Sequence, residues 1–217
     1  MALALFDLDD TLITGNCETN WFEYLIDQGH YDGSTFAADI AEFDRQYESG
    51  VGDIDDYMRF VLDPLVRQSM DVLQQWREHW FETSGRAQIA DAARTTLQQH
   101  HDQGDTVVII SASNRFCVEP FARELGAHDF LASVPEIVDN RFTGAFLPPP
   151  CFSEGKIHHL ENWMTGREHS LEGSYFYSDS RNDIPLLLHV DNPVAVNPDS
   201  HLTQVAGERG WPQLNLR

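Results

Sequence analysis

Asp7 and Asp9 stand one residue apart in the run Phe6-Asp7-Leu8-Asp9-Asp10-Thr11, directly after the apolar stretch from Ala2 to Phe6. Two carboxylates so spaced at a strand end can point into one site once the chain turns. One can then attack an electrophile while the other moves protons. A carboxylate nucleophile splits phosphoryl transfer into two displacements, and a neighbouring acid first protonates the leaving alkoxide and then activates water. An isolated Asp-x-Asp is more often a helix cap or a solvated acidic turn, so the pair takes its meaning from what accompanies it.

Three further stretches supply what such a reaction needs. Asp179-Ser180-Arg181-Asn182-Asp183 offers two carboxylates suited to a hard cation with oxygen ligands, although Asp183 alone equally suits a cap for a helix beginning near Ile184. Ser111-Ala112-Ser113-Asn114 brings small residues that let backbone amides and a hydroxyl approach a phosphate closely. Lys156, in Glu154-Gly155-Lys156, can offset negative charge on a transferring phosphoryl group. Taken singly, Ser111 reads as a turn residue and Lys156 as a solvated surface charge. Their joint occurrence carries the reading.

The elements that must position these groups are legible in the hydrophobic pattern. Ala2 to Phe6, Thr106 to Ile110, Ser174 to Ser178 and Pro193 to Asn197 are short apolar runs that end in polar residues, as buried parallel strands do when their carboxyl ends open on a site. In doubly wound sheets the ligand lies where those ends meet. Helical patterns intervene, such as Ile89, Ala93 and Leu97 with Gly104 as a stop, and Ile184 to Leu188 before Pro193, so the order reads as βαβ units. Glu136 to Val138 and Arg141 to Thr143 flank Asp139-Asn140 as a hairpin with a two-residue polar turn.

From about Asn16 to Ser84 the plan is interrupted by helical periodicity alone: Trp21, Tyr24, Leu25, then Phe36, Ile40, Phe43, Tyr47, then Leu73, Trp76, Trp80. These aromatic stripes are expected in a core rather than around a cofactor. The expected fold is therefore α/β, with a Rossmann-like core and parallel sheet from residues 1–15 and 85–217 and an inserted helical lid over 16–84.

Composition bounds the partners. The chain has 217 residues, enough for one sizeable core with an insertion, and 41% of them are hydrophobic. Its net charge of −21 repels nucleic acid and anionic membrane surfaces, so the expected partner is a small phosphorylated metabolite met by local cations and amides. The start of the chain has no basic flank and too few apolar residues for a signal peptide or membrane span, and Cys17, Cys117 and Cys151 are an odd number at unrelated spacings. A cytoplasmic protein, monomer or homodimer, is expected.

With these residues in place, the chain resembles a haloacid dehalogenase superfamily phosphatase of the subfamily IB branch, which includes phosphoserine phosphatases and carries a helical cap after the first motif. The four motifs occur in order: Phe6-Asp7-Leu8-Asp9-Asp10-Thr11-Leu12, Ser111, Lys156, and Asp179 to Asp183. The resemblance implies that Asp7 attacks phosphorus and Asp9 is the general acid and base. It implies Mg2+ held by the Asp7 carboxylate, the Asp9 backbone carbonyl and Asp179, with Asp183 supporting the metal shell or orienting Lys156. Ser111 and the neighbouring groups of Ala112 and Asn114 would hold phosphoryl oxygens, with Asn182 also at the substrate.

Phosphoserine phosphatases place a substrate-binding glutamate shortly after the first motif. Here Asn16 occupies that place without a gap, and Glu18 does so if the loop is lengthened. Asn114-Arg115-Phe116 and Tyr177 to Asp183 are closer to bacterial phosphatases of the same branch, some of which resemble histidinol-phosphate phosphatases. A substrate with an amine and no carboxylate suits an acidic pocket, which makes histidinol phosphate the leading expectation. Arg45, Arg59 or Arg67 of the lid can instead recognise a carboxylate.

Rival readings are weaker. Cys117 to Arg123 has the spacing of a cysteine-dependent phosphatase loop, but Pro120 lacks an amide proton and the segment reads as a helix. A receiver-like switch also gathers aspartates around a metal, but it has no use for the acid Asp9 or a long lid. His100-His101 and His158-His159 have no spaced partners and read as solvated surface residues.

Overall fold

The computed structural model describes residues 2–49 and 54–217; the side chain of Tyr47, one of the expected lid stripe, lies outside the described residues. A seven-stranded sheet runs in the order β4-β3-β2-β1-β5-β6-β7. Its strands are β1 (Leu3–Phe6), β2 (Thr106–Asn114), β3 (Asp129–Val138), β4 (Arg141–Leu147), β5 (Tyr175–Ser178), β6 (Asn192–Val196) and β7 (Gln213–Leu214). All neighbours pair in parallel except β3 with β4.

The sheet is buried on both faces, and the period of two along each strand divides its side chains between two cores. Ala4, Phe6, Val107 and Ile109 join one apolar cluster, while Leu3, Leu5, Val108, Ile110 and Phe176 join the other. This is why the central strands read as continuous apolar runs rather than as alternation.

Four helices, α1 (Cys17–Asp27), α2 (Phe36–Ser49), α3 (Ile54–Val66) and α4 (Met70–Thr83), lie between β1 and α5 (Asp91–Gln103). Asn16 starts α1 by accepting from the amides of Glu18 and Thr19, and Gly104 ends α5 at φ +78°. The remaining helices are α6 (Arg115–Glu124), α7 (Glu154–Met164), α8 (Ile184–Leu187) and α9 (Ser200–Arg209). The expected stripes are core: Trp21 meets Trp80 edge-on at 5.4 Å, and Trp80 meets Phe121 of α6 at 5.7 Å. A second aromatic group, with Phe22 stacked on Phe36 and Phe60, joins α1, α2 and α3.

The structure amends the sequence reading in several places. The second apolar run does not stop before Ser111; β2 continues to Asn114 with a register shift between those two residues, so the expected phosphate loop is a bulged strand end. The hairpin turns at Asp139 and Asn140 with φ of 49° and 60°, as expected, but β3 begins at Asp129 and first pairs with β2. His100 is not a solvated surface histidine. It is buried, hydrogen-bonded to Asp105 Oδ2 and Tyr177 Oη at 2.9 Å each. Among the described residues, no helix is long and apolar enough to cross a membrane.

Candidate active site

The chain returns from β3 and β4 to place β5 beside β1, so the sheet order reverses between those two strands. The carboxyl ends of β1 and β5 therefore flank a switch point, where open α/β sheets form their crevice. Asp7 follows β1, with its backbone N–H donating to the Tyr177 carbonyl at 2.9 Å, and Asp179 follows β5.

Beyond β1 the chain turns back on itself. Asp10 adopts φ +53°, its Oδ1 accepts from the Gly15 amide at 3.2 Å, and its carbonyl accepts from Asn197 Nδ2 at 2.8 Å. A short polar side chain tolerates this left-handed turn, and the turn directs Asp7 and Asp9 into the same region. Thr11 then closes the loop onto β5: its Oγ1 donates to Asp179 Oδ1 and accepts from the Asp179 amide, both at 3.0 Å.

Lys156, 2% exposed, donates to Asp7 Oδ1 and to Asp183 Oδ2 at 2.7 Å each. Ser178 Oγ also donates to Asp183 Oδ2 at 2.7 Å. Burial pushes the ammonium toward neutrality, but the charges of Asp183 and Asp7 outweigh it and keep Lys156 firmly protonated. Asp183 thus holds the lysine, which suits the orienting role better than metal ligation. Gly155 is required just before it, because a Cβ there would lie 2.0 Å from the Pro150 carbonyl oxygen.

Asp9 is caged by donors. Its Oδ1 accepts from the Cys17 amide at 2.7 Å, and its Oδ2 accepts from Ser113 Oγ at 2.7 Å and Ser111 Oγ at 3.3 Å. Burial raises its pKa above the ordinary carboxylate value, against the lowering effect of these donors.

The next residues along the same two segments build a second carboxylate site. Glu18 Oε1 accepts from the Asn114 amide at 2.8 Å and from Asn114 Nδ2 at 2.6 Å, while Oε2 accepts from Tyr57 Oη at 3.1 Å. Glu18 is 1% exposed, and burial pushes its pKa up to about 7. Asn16 is the helix cap, and Glu18 lies in the first turn of α1 with its carboxylate against Asn114. The Asn114 backbone N–H and one hydrogen of its Nδ2 turn to Glu18. Asn182 lies half-buried in a single turn after Asp179, its amide donating to Ser180 Oγ at 3.2 Å, and Ala112 lies in the bulged end of β2.

The donor set fits a hard cation. Burial holds both Asp7 and Asp179 above the ordinary range; Lys156 opposes this at Asp7, and the charge of Asp7 adds to it at Asp179. Two carboxylates that repel at a buried switch point are relieved by a divalent ion. Among the described residues no group of three His, Cys, Asp or Glu side chains could hold a metal by itself. Two carboxylates completed by a backbone carbonyl and water match an ion that keeps part of its hydration.

Pattern reading missed Ser113, Thr11, Ser178 and Tyr57. Ser113 was open to detection, since strand periodicity places it on the same face as Ser111. Tyr57 carried no local signal. The three lid arginines face the surface: Arg45 pairs with Glu42, Arg59 with Asp56 and Arg67 with Asp63, with arginine side chains 58–69% exposed. Cys117 is buried in α6 and its thiol is pushed well above its ordinary pKa, first by burial, which excludes a thiolate nucleophile there.

A profile of the haloacid dehalogenase-like hydrolases matches residues 4–188. The chain is 38% identical to a histidinol-phosphatase of Neisseria meningitidis serogroup C (strain 8013), over 99% of each protein. It superposes with a TM-score of 0.92 on the crystal structure of a protein with unknown function from Bordetella pertussis Tohama I, 33% identical, covering 100% of this chain and 99% of that one. A phosphoserine phosphatase solved as a phospho-aspartyl intermediate analogue shares the fold, with a TM-score of 0.71 at 16% identity over 100% of this chain and 93% of that one.

Proposed function

The chain belongs to the haloacid dehalogenase-like hydrolases, and on that basis we propose that it hydrolyses a small phosphomonoester through a covalent aspartyl phosphate on Asp7, with histidinol phosphate as the leading substrate. In this reading an Asp7 carboxylate oxygen attacks phosphorus, the P–O bond to the alcohol breaks, and Asp9 donates its proton to the departing alkoxide. Asp9 then takes a proton from water as that water attacks the aspartyl phosphate, which releases inorganic phosphate and restores Asp7. Lys156 holds positive charge beside the nucleophile throughout. Ser111, Ala112 and Asn182 line the phosphoryl side.

Mg2+ bound by the Asp7 carboxylate, the Asp9 backbone carbonyl and Asp179 would neutralise phosphoryl oxygens there. Residues 1–15 and 85–217 act as the core and 16–84 as the lid that excludes water. The observation that carries the reaction is the meeting of Asp7, Lys156 and Asp183, from three separate stretches of chain, through two hydrogen bonds at 2.7 Å, with Asp9 two residues from Asp7 and itself held by Ser113 at 2.7 Å.

Glu18 supports the substrate assignment. Its hydrogen bonds come from neutral donors, so a buried carboxylate is available to a substrate ammonium, while a substrate carboxylate would meet repulsion there. Phosphoserine, which carries both groups, needs a cation for its carboxylate, and Arg45, Arg59 and Arg67 are paired at the surface.

The test compares turnover of histidinol phosphate, phosphoserine, sugar phosphates and nucleotides with Mg2+ present. Histidinol phosphate should have the highest kcat/KM, and Asp7→Asn should abolish turnover of every ester. Wild-type rates from Asp7→Asn would overturn the mechanism, and a preference for phosphoserine would overturn the substrate assignment.

A further inference from the structure

Tyr57 belongs to α3, yet its hydroxyl reaches Glu18 of α1. Its ring stands edge-on to Phe43 of α2 at 5.5 Å and 81°, which fixes where the hydroxyl sits. The residue therefore ties three lid helices to a buried carboxylate that the chemistry above gives no proton-transfer or metal role.

The lone pairs define what this contact can recognise. Glu18 Oε1 is filled by its two donors from Asn114, and among the described residues Oε2 accepts only from Tyr57, so one acceptor position on Oε2 is left. A phenolic oxygen that donates its proton still has lone pairs of its own. Glu18 Oε2 and Tyr57 Oη thus present two acceptors 3.1 Å apart to a group with several N–H donors.

We infer that Tyr57 is a specificity-determining residue: its hydroxyl and Glu18 Oε2 form a two-point acceptor for a primary ammonium on the substrate, close to the phosphoester. The closeness follows from the chain, because Cys17 and Ser113 hold Asp9 while their immediate successors Glu18 and Asn114 form the subsite. The inference rests on the reading of Glu18 as the ammonium-facing carboxylate and adds a second residue from the lid. The subsite also selects against amine-free esters, because without a cation the buried Glu18 carboxylate stays uncompensated in the complex.

The experiment uses 2-aminoethyl phosphate and ethyl phosphate, which differ by the ammonium alone, with the wild type, Tyr57→Phe, Glu18→Gln and the double variant. Phenylalanine keeps the ring against Phe43, and thermal unfolding checks that each variant is folded. The wild type should favour the amino ester. Tyr57→Phe should lose about tenfold of that preference, mostly in KM, as expected for a hydrogen bond to a charged group. The double variant should lose no more than Glu18→Gln alone, because the two residues act on the same ammonium. An unchanged preference in Tyr57→Phe, or additive losses, overturns the role of Tyr57 while leaving Glu18 standing. If Glu18→Gln keeps the full preference, the underlying reading of Glu18 fails and the Tyr57 inference falls with it.

Discussion

Lys156 Nζ lies 2.7 Å from Asp7 Oδ1, an ion pair between positions 149 apart in the chain and almost entirely removed from water. Its second partner, Asp183, makes the lysine a bridge between the carboxyl ends of β1 and β5. Replacing Lys156 by Met leaves two buried carboxylates without their cation. The expected cost is about 3 to 5 kcal/mol in urea unfolding, together with loss of turnover. Adding Asp183→Asn should recover part of the stability and none of the activity, which separates the structural role of the lysine from its chemical one.

Asp9 as general acid predicts a dependence on the leaving group. Asp9→Asn should lower kcat for alkyl phosphates by about 10²- to 10⁴-fold and much less for an activated aryl phosphate, whose alcohol departs without a proton. Steady-state kinetics on matched alkyl and aryl esters reads this directly, and equal losses on both would assign Asp9 another role.

Metal binding should be visible in stability as well as in rate. Mg2+ at a hundred times its Kd is expected to stabilise the folded chain by about 2.7 kcal/mol, through binding to the native state alone. Asp179→Asn should abolish that shift in a thermal melt, and chelation should remove turnover until Mg2+ is restored.

Glu18 predicts a pH dependence of known sign. Its pKa is pushed from the ordinary 4.5 to about 7 on folding, so the folded chain binds the extra proton. The stability this provides is fully present below about 4.5 and is lost as pH rises through about 7. Glu18→Gln carries no charge and should become increasingly more stable than the wild type across that window, with the difference level above it. Urea unfolding against pH checks it, and a difference that shrinks as pH rises would contradict the burial of an unpaired carboxylate. The same variant should lose discrimination for amines, the usual exchange of stability for recognition.

The strands and their polar ends were legible in the sequence because they rest on short-range regularities. Four apolar runs ending in Asp7, Ser111, Asp179 and Asn197 mark the strands β1, β2, β5 and β6, and their polar ends mark the crevice, since a parallel sheet covered on both faces leaves little other room for polar groups. The turn at Asp139-Asn140 and the stop at Gly104 follow equally from local backbone preferences.

What tertiary structure decided is which groups touch. Nothing local distinguishes His100 from a surface histidine; its burial follows from α5 lying against the sheet, where Tyr177 and Asp105 satisfy its ring nitrogens. Asn16 precedes Glu18 as the candidate by ungapped spacing, yet the start of α1 consumes Asn16 as a cap and turns Glu18 inward. Tyr57 reaches that carboxylate only because α3 lies beside α1, a contact across 39 positions in the chain. Backbone patterning acts over a few residues, whereas a hydrogen bond between distant segments depends on the packing of every element between them, and no periodicity records that.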